Sequence, residues 1–183
     1  TGNKSEARNA MVRAGVPVIP GTKEPIFTAE AGRKFADEIG YPVMIKAALG
    51  GGGKGMRVVQ NSTDFEKNFQ NAQREAENGF GDNSMYIEKY IEHPKHIEFQ
   101  ILADNEGNTI HLGERDCSVQ RRHQKMIEES PCTALDEDLR EQMGAMAVRA
   151  AKAVGYRNAG TVEFLLDSHR QFYFMEINTR IQV

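Results

Sequence analysis

Two short apolar runs near the end of the chain constrain its fold more than any other feature. They are Thr161-Val162-Glu163-Phe164-Leu165-Leu166 and Phe172-Tyr173-Phe174-Met175-Glu176-Ile177, joined by Asp167-Ser168-His169-Arg170. β-Branched and aromatic runs of this length, bounded by turn formers, predict an antiparallel hairpin. Each arm carries a glutamate in mid-strand, where a carboxylate is costly unless something pairs with it. With Asp167 paired to Arg170, Glu163 faces Phe174 and Glu176 faces Thr161. The two glutamates then lie diagonally on one face, within roughly 7–8 Å at Cβ. A slip of two residues makes them direct neighbours on that face. Like charges so close call for a cation. By the two-residue strand period, Asn178 and Arg180 continue along the same face. Mg²⁺ takes oxygen ligands, commonly one or two carboxylates with phosphate and water, and Glu163, Glu176 and Asn178 fit that set. The plain alternative is an edge hairpin with a solvated polar face.

A second constraint is a glycine run between two strands. Tyr41-Pro42-Val43-Met44-Ile45-Lys46 leads into Gly50-Gly51-Gly52-Gly53-Lys54-Gly55, and Met56-Arg57-Val58-Val59 returns. Glycines permit positive φ and close backbone approach, and successive free N–H groups form an anion cradle. Lys46, at the end of a strand, adds a point charge suited to phosphate. A strand follows the run rather than a helix, and no Lys-Ser/Thr pair is present, which excludes both the P-loop and the dinucleotide fingerprint. A flexible hairpin tip accounts for the glycines equally well.

Around these features the chain alternates. A helix is predicted over residues 3–14, ended by Gly15, and another from a Thr28 cap with Ala31, Phe35 and Ile39 on one face and Gly40 at its end. Thr63-x-x-Glu66 has the form of a capping box, opening a helix with Phe65, Phe69, Ala72 and Ala76 inward. His96 to Ala103 and Thr109 to Asp116 form a hairpin across residues 104–108. Residues 117–135 are polar and show no clear period. The run Arg115 to Lys125, with the basic cluster Arg121, Arg122, His123 and Lys125, is suited to phosphate oxygens or a small anion or to a solvated loop. A helix from Asp136 to Val154 aligns Leu139, Met143, Met146, Ala150 and Val154. Hydrophobic residues make up 39% of the 183, enough for a core, and the formal charge of −3 does not suggest a nucleic-acid or anionic-membrane partner. Cys117 and Cys132 lack metal-type spacing and read as free thiols in a reducing compartment. No apolar run approaches the roughly 18 residues of a membrane span, and no signal peptide opens the chain. The start on Thr1 without a Met and the finish at Val183 suggest a piece of a longer protein.

The three signals occur together in one known family. Ile45-Lys46 with the glycine loop and Gly55-Met56-Arg57-Val58 resembles the phosphate-binding lid of ATP-grasp enzymes. Glu114-Arg115-Asp116-Cys117-Ser118, Gln120-Arg121-Arg122-His123-Gln124-Lys125 and Met175-Glu176-Ile177-Asn178-Thr179-Arg180-Ile181-Gln182-Val183 resemble biotin carboxylase specifically, and the resemblance covers essentially the whole chain. It implies an α+β ATP-grasp fold, truncated at both ends. A connecting helix and linker would occupy 1–17, a small α/β lid subdomain 18–89, and part of a larger antiparallel-sheet body 90–183. It implies ATP- and bicarbonate-dependent carboxylation of biotin on a biotin carboxyl carrier protein, through carboxyphosphate. Lys4 and Lys46 would contact ATP phosphates, with Gly52 and Gly53 over them. Glu88, Lys89, Tyr90 and Ile91 would meet adenine, largely through backbone. His96 would lie near the ribose, and Gln120 and His123 near the terminal phosphate. Glu163, Glu176 and Asn178 would hold two Mg²⁺ or Mn²⁺ ions, while Lys125, Arg180 and the backbone of Val183 would hold bicarbonate. Arg180 would also stabilise the biotin enolate. The implied partners are the carrier protein, a carboxyltransferase and, for the full-length parent, a second copy; the implied compartment is cytoplasmic or the mitochondrial matrix. The family's N-terminal domain is absent, as are the general-base glutamate that follows Val183 in the family and a later biotin-binding arginine. The piece alone is therefore expected to be inactive. Another ATP-grasp ligase, such as a carbamoyl-phosphate synthetase, and a non-catalytic nucleotide-binding module are the competing readings.

Overall fold

The computed structural model describes residues 4–49, 53–121 and 124–178, with the backbone alone described at 4–5, 119–121 and 124–128. The chain divides into two compact units: Ile19–Ile91, and Thr1–Val18 together with Glu92–Val183.

In the first unit, β1 (Val43–Ala47) lies between β2 (Met56–Val59) and β3 (Met85–Lys89), all antiparallel. Helices α2 (Ala29–Ile39) and α3 (Phe65–Phe80) supply the rest of its core, while α1 (Lys4–Ala14) belongs to the other unit. Thr28 caps α2, its Oγ1 accepting the Ala31 N–H at 3.3 Å, and Gly40 at φ 82° closes it. The buried face is Gly32 and Ala36, with Ala31 exposed and Phe35 and Ile39 half-buried, one residue round from the expected stripe. The cause is a close approach. A Cβ on Gly32 would lie 2.9 Å from Ile87 Cδ1 and 3.0 Å from the Phe65 ring, so the bare Cα is the contact. Periodicity of large apolar residues cannot report it. Helix α3 buries all four expected residues, Phe65, Phe69, Ala72 and Ala76. Its start differs from the expected capping box: a 3₁₀ turn, Ser62–Asp64, precedes it, and Asn61 Oδ1 accepts the Asp64 N–H at 3.1 Å.

The second unit is a five-stranded antiparallel sheet in the order β6-β5-β4-β7-β8. Its strands are β4 (Lys95–Ala103), β5 (Thr109–Arg121), β6 (Gln124–Glu129), β7 (Asn158–Leu166) and β8 (Phe172–Asn178). The segment expected to be aperiodic is largely strand: β5 runs on to Arg121 and pairs with β6 through Asp116↔Glu129 and Gln120↔Lys125. Register shifts between Asp116 and Gln120 break the two-residue alternation, which removes the sequence signal. Helix α4 (Glu137–Ala153), capped by Asp136 Oδ1 on the Leu139 N–H at 2.9 Å, covers one sheet face. The core joins Leu139, Met143, Ala147, Ala150 and Ala151 of α4 to Ile97, Phe99, Ile101, Val162, Phe164, Leu166 and Phe174, with Met11 and Val16 of the N-terminal segment. Val154, expected on the helix stripe, lies beyond the end of α4 and is exposed. A buried ion pair fastens helix to sheet. Glu114 accepts Arg140 Nε at 2.8 Å and the Cys132 N–H at 3.2 Å.

Candidate functional site

The sheet face opposite α4 carries the polar residues, and register gathers them. Strand alternation sends Ile97, Phe99, Val162 and Phe164 into the core and leaves His96, Glu98, Gln100, Thr161 and Glu163 on the other side. The β7–β8 loop closes with Asp167 N–H on the Gln171 carbonyl at 2.9 Å, one residue longer than an Asp167–Arg170 pairing. Asp167 Oδ1 holds this loop by accepting the N–H groups of His169 and Gln171, each at 2.8 Å, with Arg170 at φ 64°. Alone, that one-residue shift would send the two glutamates to opposite faces. A bulge at Met175 supplies a second shift: Phe164 pairs with Phe174, and Glu163 with Glu176. Phe174 thus stays in the core and Ile177 packs against it, while Glu176 and Asn178 turn to the polar face. The glutamates are direct cross-strand neighbours.

Four charged residues therefore form one row across four strands: Arg115 opposite Glu98, Glu98 opposite Glu163, and Glu163 opposite Glu176. Glu98 is 1% exposed and has its own cation, with Arg115 Nε and Nη2 each 2.8 Å from Oε1. Arg115 Nη2 also donates to Gln100 Oε1 at 3.3 Å. Glu163 accepts Asn178 Nδ2 at 3.0 Å. No salt bridge to Glu176 is present among the described residues. The row thus neutralises Glu98 and concentrates carboxylate charge on β7 and β8. Among the described residues no three His, Cys, Asp or Glu side chains gather closely enough to hold a metal; the hairpin offers two carboxylates and an amide, all hard oxygen donors. Gly160 lets the arms close here, since a Cβ on it would stand 2.8 Å from the Asn178 carbonyl. Glu98, Gln100 and Thr161 were not singled out from sequence, and Arg115 only as part of the basic run and the family motif, without its Glu98 partner. The signal for Glu98 was available: it interrupts Ile97-Glu98-Phe99 just as Glu163 interrupts its own apolar run.

His96 shares the polar face, and its backbone N–H donates to Ser118 Oγ at 3.1 Å. Beside it, Asp116 accepts the Ser118 hydroxyl and N–H and lies 3.7 Å from Lys95 Nζ. Burial pushes the Asp116 carboxyl up, but the Ser118 bonds and Lys95 outweigh it and hold it below the usual range. Gln120 and Lys125 occupy directly paired positions on β5 and β6, and Lys4 opens α1. Gly52, His123, Arg180 and Val183 lie outside the described residues.

In the Ile19–Ile91 unit, Lys46 Nζ is 2.5 Å from Glu88 Oε1, so the candidate phosphate lysine is paired with a candidate adenine-side residue. Lys89 Nζ reaches the Gly40 and Tyr41 carbonyls at 3.0 and 2.8 Å, where it caps α2. The N–H groups of Lys89 and Tyr90 donate to Pro20 and Pro42 at 2.8 and 3.0 Å; no backbone carbonyl among the described residues accepts from Ile91. Gly53 and Gly55 take φ 83° and 71°, the conformation for which the glycine run is needed. Glu75 pins the returning end, accepting the Gly55 N–H at 3.2 Å and pairing with Arg57. Those two partners hold its carboxyl below the usual range.

A three-stranded α/β unit with a glycine turn and an antiparallel body with paired mid-strand carboxylates define an ATP-grasp protein. Within that class, the chain belongs to the family described as the carbamoyl-phosphate synthase L chain, ATP binding domain, whose model matches residues 3–183. Over 182 residues it is 60% identical to a biotin carboxylase of Nostoc sp. and 57% identical to biotin carboxylase 2 of Bacillus subtilis. Both matches take in 100% of this chain, which spans 41% of the length of each relative. Among solved structures, the biotin carboxylase domain of a thermophilic 2-oxoglutarate carboxylase bound to ADP matches with TM-score 0.90 and 50% identity, over 100% of this chain and 40% of that one. A biotin carboxylase–β,γ-ATP complex from Campylobacter jejuni matches at 59% identity and TM-score 0.73, over 98% of this chain and 40% of that one. No helix of the described residues is long and apolar enough to cross a membrane.

Proposed function

We propose that this chain is the ATP-binding portion of a biotin carboxylase, and that the whole protein carboxylates biotin on a carrier protein using ATP and bicarbonate. The observation that carries the reading is the bulged register that sets Glu163 directly against Glu176 with Asn178 beside them. Two carboxylates and an amide oxygen fit the donor set of Mg²⁺ or Mn²⁺, and identities of 50–60% to carboxylases across the chain favour this chemistry over a carbamoyl-phosphate synthetase. Glu163, Glu176 and Asn178 would hold the cations, which when bound neutralise phosphate charge. Lys46 would exchange Glu88 for a phosphate oxygen, and Gly52 and Gly53 would present backbone N–H groups to the same anion. The Ile91 N–H, which has no backbone acceptor among the described residues, suits an adenine ring nitrogen. His96, on the polar face, would approach the ribose. Lys4, Gln120 and His123 would serve the phosphates, and Lys125, Arg180 and Val183 the bicarbonate. A carboxyltransferase and a second copy of the parent protein complete the proposed assembly.

Titrating Mg-ATP against the chain while following its thermal midpoint tests this, with an E163Q/E176Q double variant alongside. A ligand that binds only the native state raises stability by an amount set by its concentration over Kd. The expected result is a Mg²⁺-dependent rise in the parent chain that disappears in the double variant. An equal rise in both proteins would overturn the metal assignment.

A further inference from the structure

On the row next to the glutamates, one buried polar atom has no hydrogen-bond partner among the described residues: Thr161 Oγ1, in a residue 0% exposed. Its surroundings are otherwise committed. Gln100, opposite Thr161 on β4, donates Nε2 to the Gly160 carbonyl at 2.8 Å and accepts Arg115 through Oε1. Asn178, opposite Thr161 on β8, donates Nδ2 to Glu163 Oε1, and its Oδ1 has no partner among the described residues. A hydroxyl and an amide thus face each other in register, each with unused hydrogen-bonding capacity, and the amide nitrogen is turned to the carboxylate.

That orientation, N–H toward carboxylate, is the one an ionised acceptor favours. A divalent cation on the same carboxylate repels an N–H and attracts a carbonyl oxygen, so the amide must turn. The NH₂ of half-buried Asn178 then turns toward Thr161, whose buried oxygen lacks a partner among the described residues, and pairing the two relieves the cost of an unsatisfied buried polar atom. We propose that Thr161 is that acceptor and acts as a positioning residue for the cation site. Asn178 rotates to aim Oδ1 toward the cation, and its Nδ2 passes from Glu163 to Thr161 Oγ1. The inference rests on the metal role assigned to Glu163, Glu176 and Asn178 above.

Mn²⁺ binding, read by loss of the free-ion electron paramagnetic resonance signal with and without ADP, tests both levels on the parent chain, T161V and T161S. Support groups that orient metal ligands typically contribute 10–100-fold in affinity. T161V, which keeps the shape and removes the oxygen, should bind Mn²⁺ about 10-fold more weakly, while T161S stays close to the parent. Without metal, the thermal midpoint of T161V should be unchanged or higher, because a methyl replaces a buried hydroxyl that has no partner. A purely structural role would move affinity and ligand-free midpoint downward together, and that result would overturn the inference, as would parental Mn²⁺ affinity in T161V. A parent chain that binds no Mn²⁺ in either condition would overturn the metal assignment itself, and the Thr161 role with it.

Discussion

The two units handle charge in opposite ways. Around the glycine turn, charged side chains close on neighbours in their own unit: Lys46 on Glu88, Arg57 on Glu75, Lys89 on the end of α2. These groups are partly exposed, with the Lys46–Glu88 side chains 39% and 37% accessible. On the five-stranded sheet Glu98 and Glu114 are buried, Glu163 is half-buried and Glu176 exposed, and compensation is uneven. Glu98 has Arg115 and Glu114 has Arg140, while Glu176 has no salt bridge among the described residues. Exposed pairs exchange partners at little cost, which suits the phosphate role proposed for Lys46. The buried carboxylates Glu98 and Glu114 are held by their arginines, whereas half-buried Glu163 and exposed Glu176 are set side by side by strand register, which suits the cation role proposed for them.

The sharpest way to break that contrast is to remove a cation from each unit. Arg115→Met strips the guanidinium from a carboxylate that is 1% exposed. Breaking a buried pair from one side typically costs about 3–5 kcal/mol, and urea unfolding of the variant should show a loss of that order. The double variant E98Q/R115M should recover much of it, because the stranded charge is gone. A loss below about 1 kcal/mol, the range of exposed pairs, would erase the distinction between the units.

A smaller effect concerns acid. The Asp116 carboxyl is held below its ordinary range: burial opposes this, but the Ser118 bonds and Lys95 prevail. A depressed folded-state pKa contributes stability that is present above the unfolded value and is lost as pH falls through the folded one. The thermal midpoint should therefore drop as pH is lowered below the ordinary aspartate range. D116N should flatten that limb while leaving neutral-pH unfolding cooperative. An acid limb of unchanged steepness in D116N would place the sensitivity elsewhere.

How legible each unit was follows from the same difference. In the Ile19–Ile91 unit, local rules sufficed: the Thr28 cap, the Gly40 stop and the Phe65-Phe69-Ala72-Ala76 stripe all stand where the sequence puts them. The errors there were also local, a helix face turned by one residue because Gly32 is itself the contact, and a cap moved from Thr63 to Asn61 by a 3₁₀ turn. On the sheet, the errors came from bulges and from one longer loop. The shifts between Asp116 and Gln120 hid the far end of β5 and all of β6. The bulge at Met175 and the longer 167–171 loop each changed the hairpin register by one, and the two shifts together returned the glutamates to one face by a route the sequence does not spell out. Mid-strand carboxylates announce that something must pair with them, but only register says what. Glu98 went unremarked beside Glu163 because its cation, Arg115, sits seventeen positions away in sequence and directly across in space.

The smallest expected change sharpens the comparison most. Lys46→Met removes one partner of a half-exposed ion pair. Such pairs contribute roughly 0.2–1 kcal/mol, and for a chain of this size 1 kcal/mol moves the midpoint by about 2–4 °C. The ligand-free midpoint of K46M should therefore stay within a few degrees of the parent. If Lys46 trades Glu88 for phosphate, the Mg-ATP-dependent rise should shrink in the same variant, since the lost charge matters only once the anion is present. E88Q supplies the converse: it frees Lys46 without removing it, so the Mg-ATP-dependent rise should hold or increase. Stability and ligand response would then separate in this unit, where the charges are exchangeable, and remain coupled in R115M, where a buried carboxylate is left without its cation. A K46M midpoint as low as that of R115M, with no change in ligand response, would mean that Lys46 is a structural ion pair and that the phosphate is gripped by other groups.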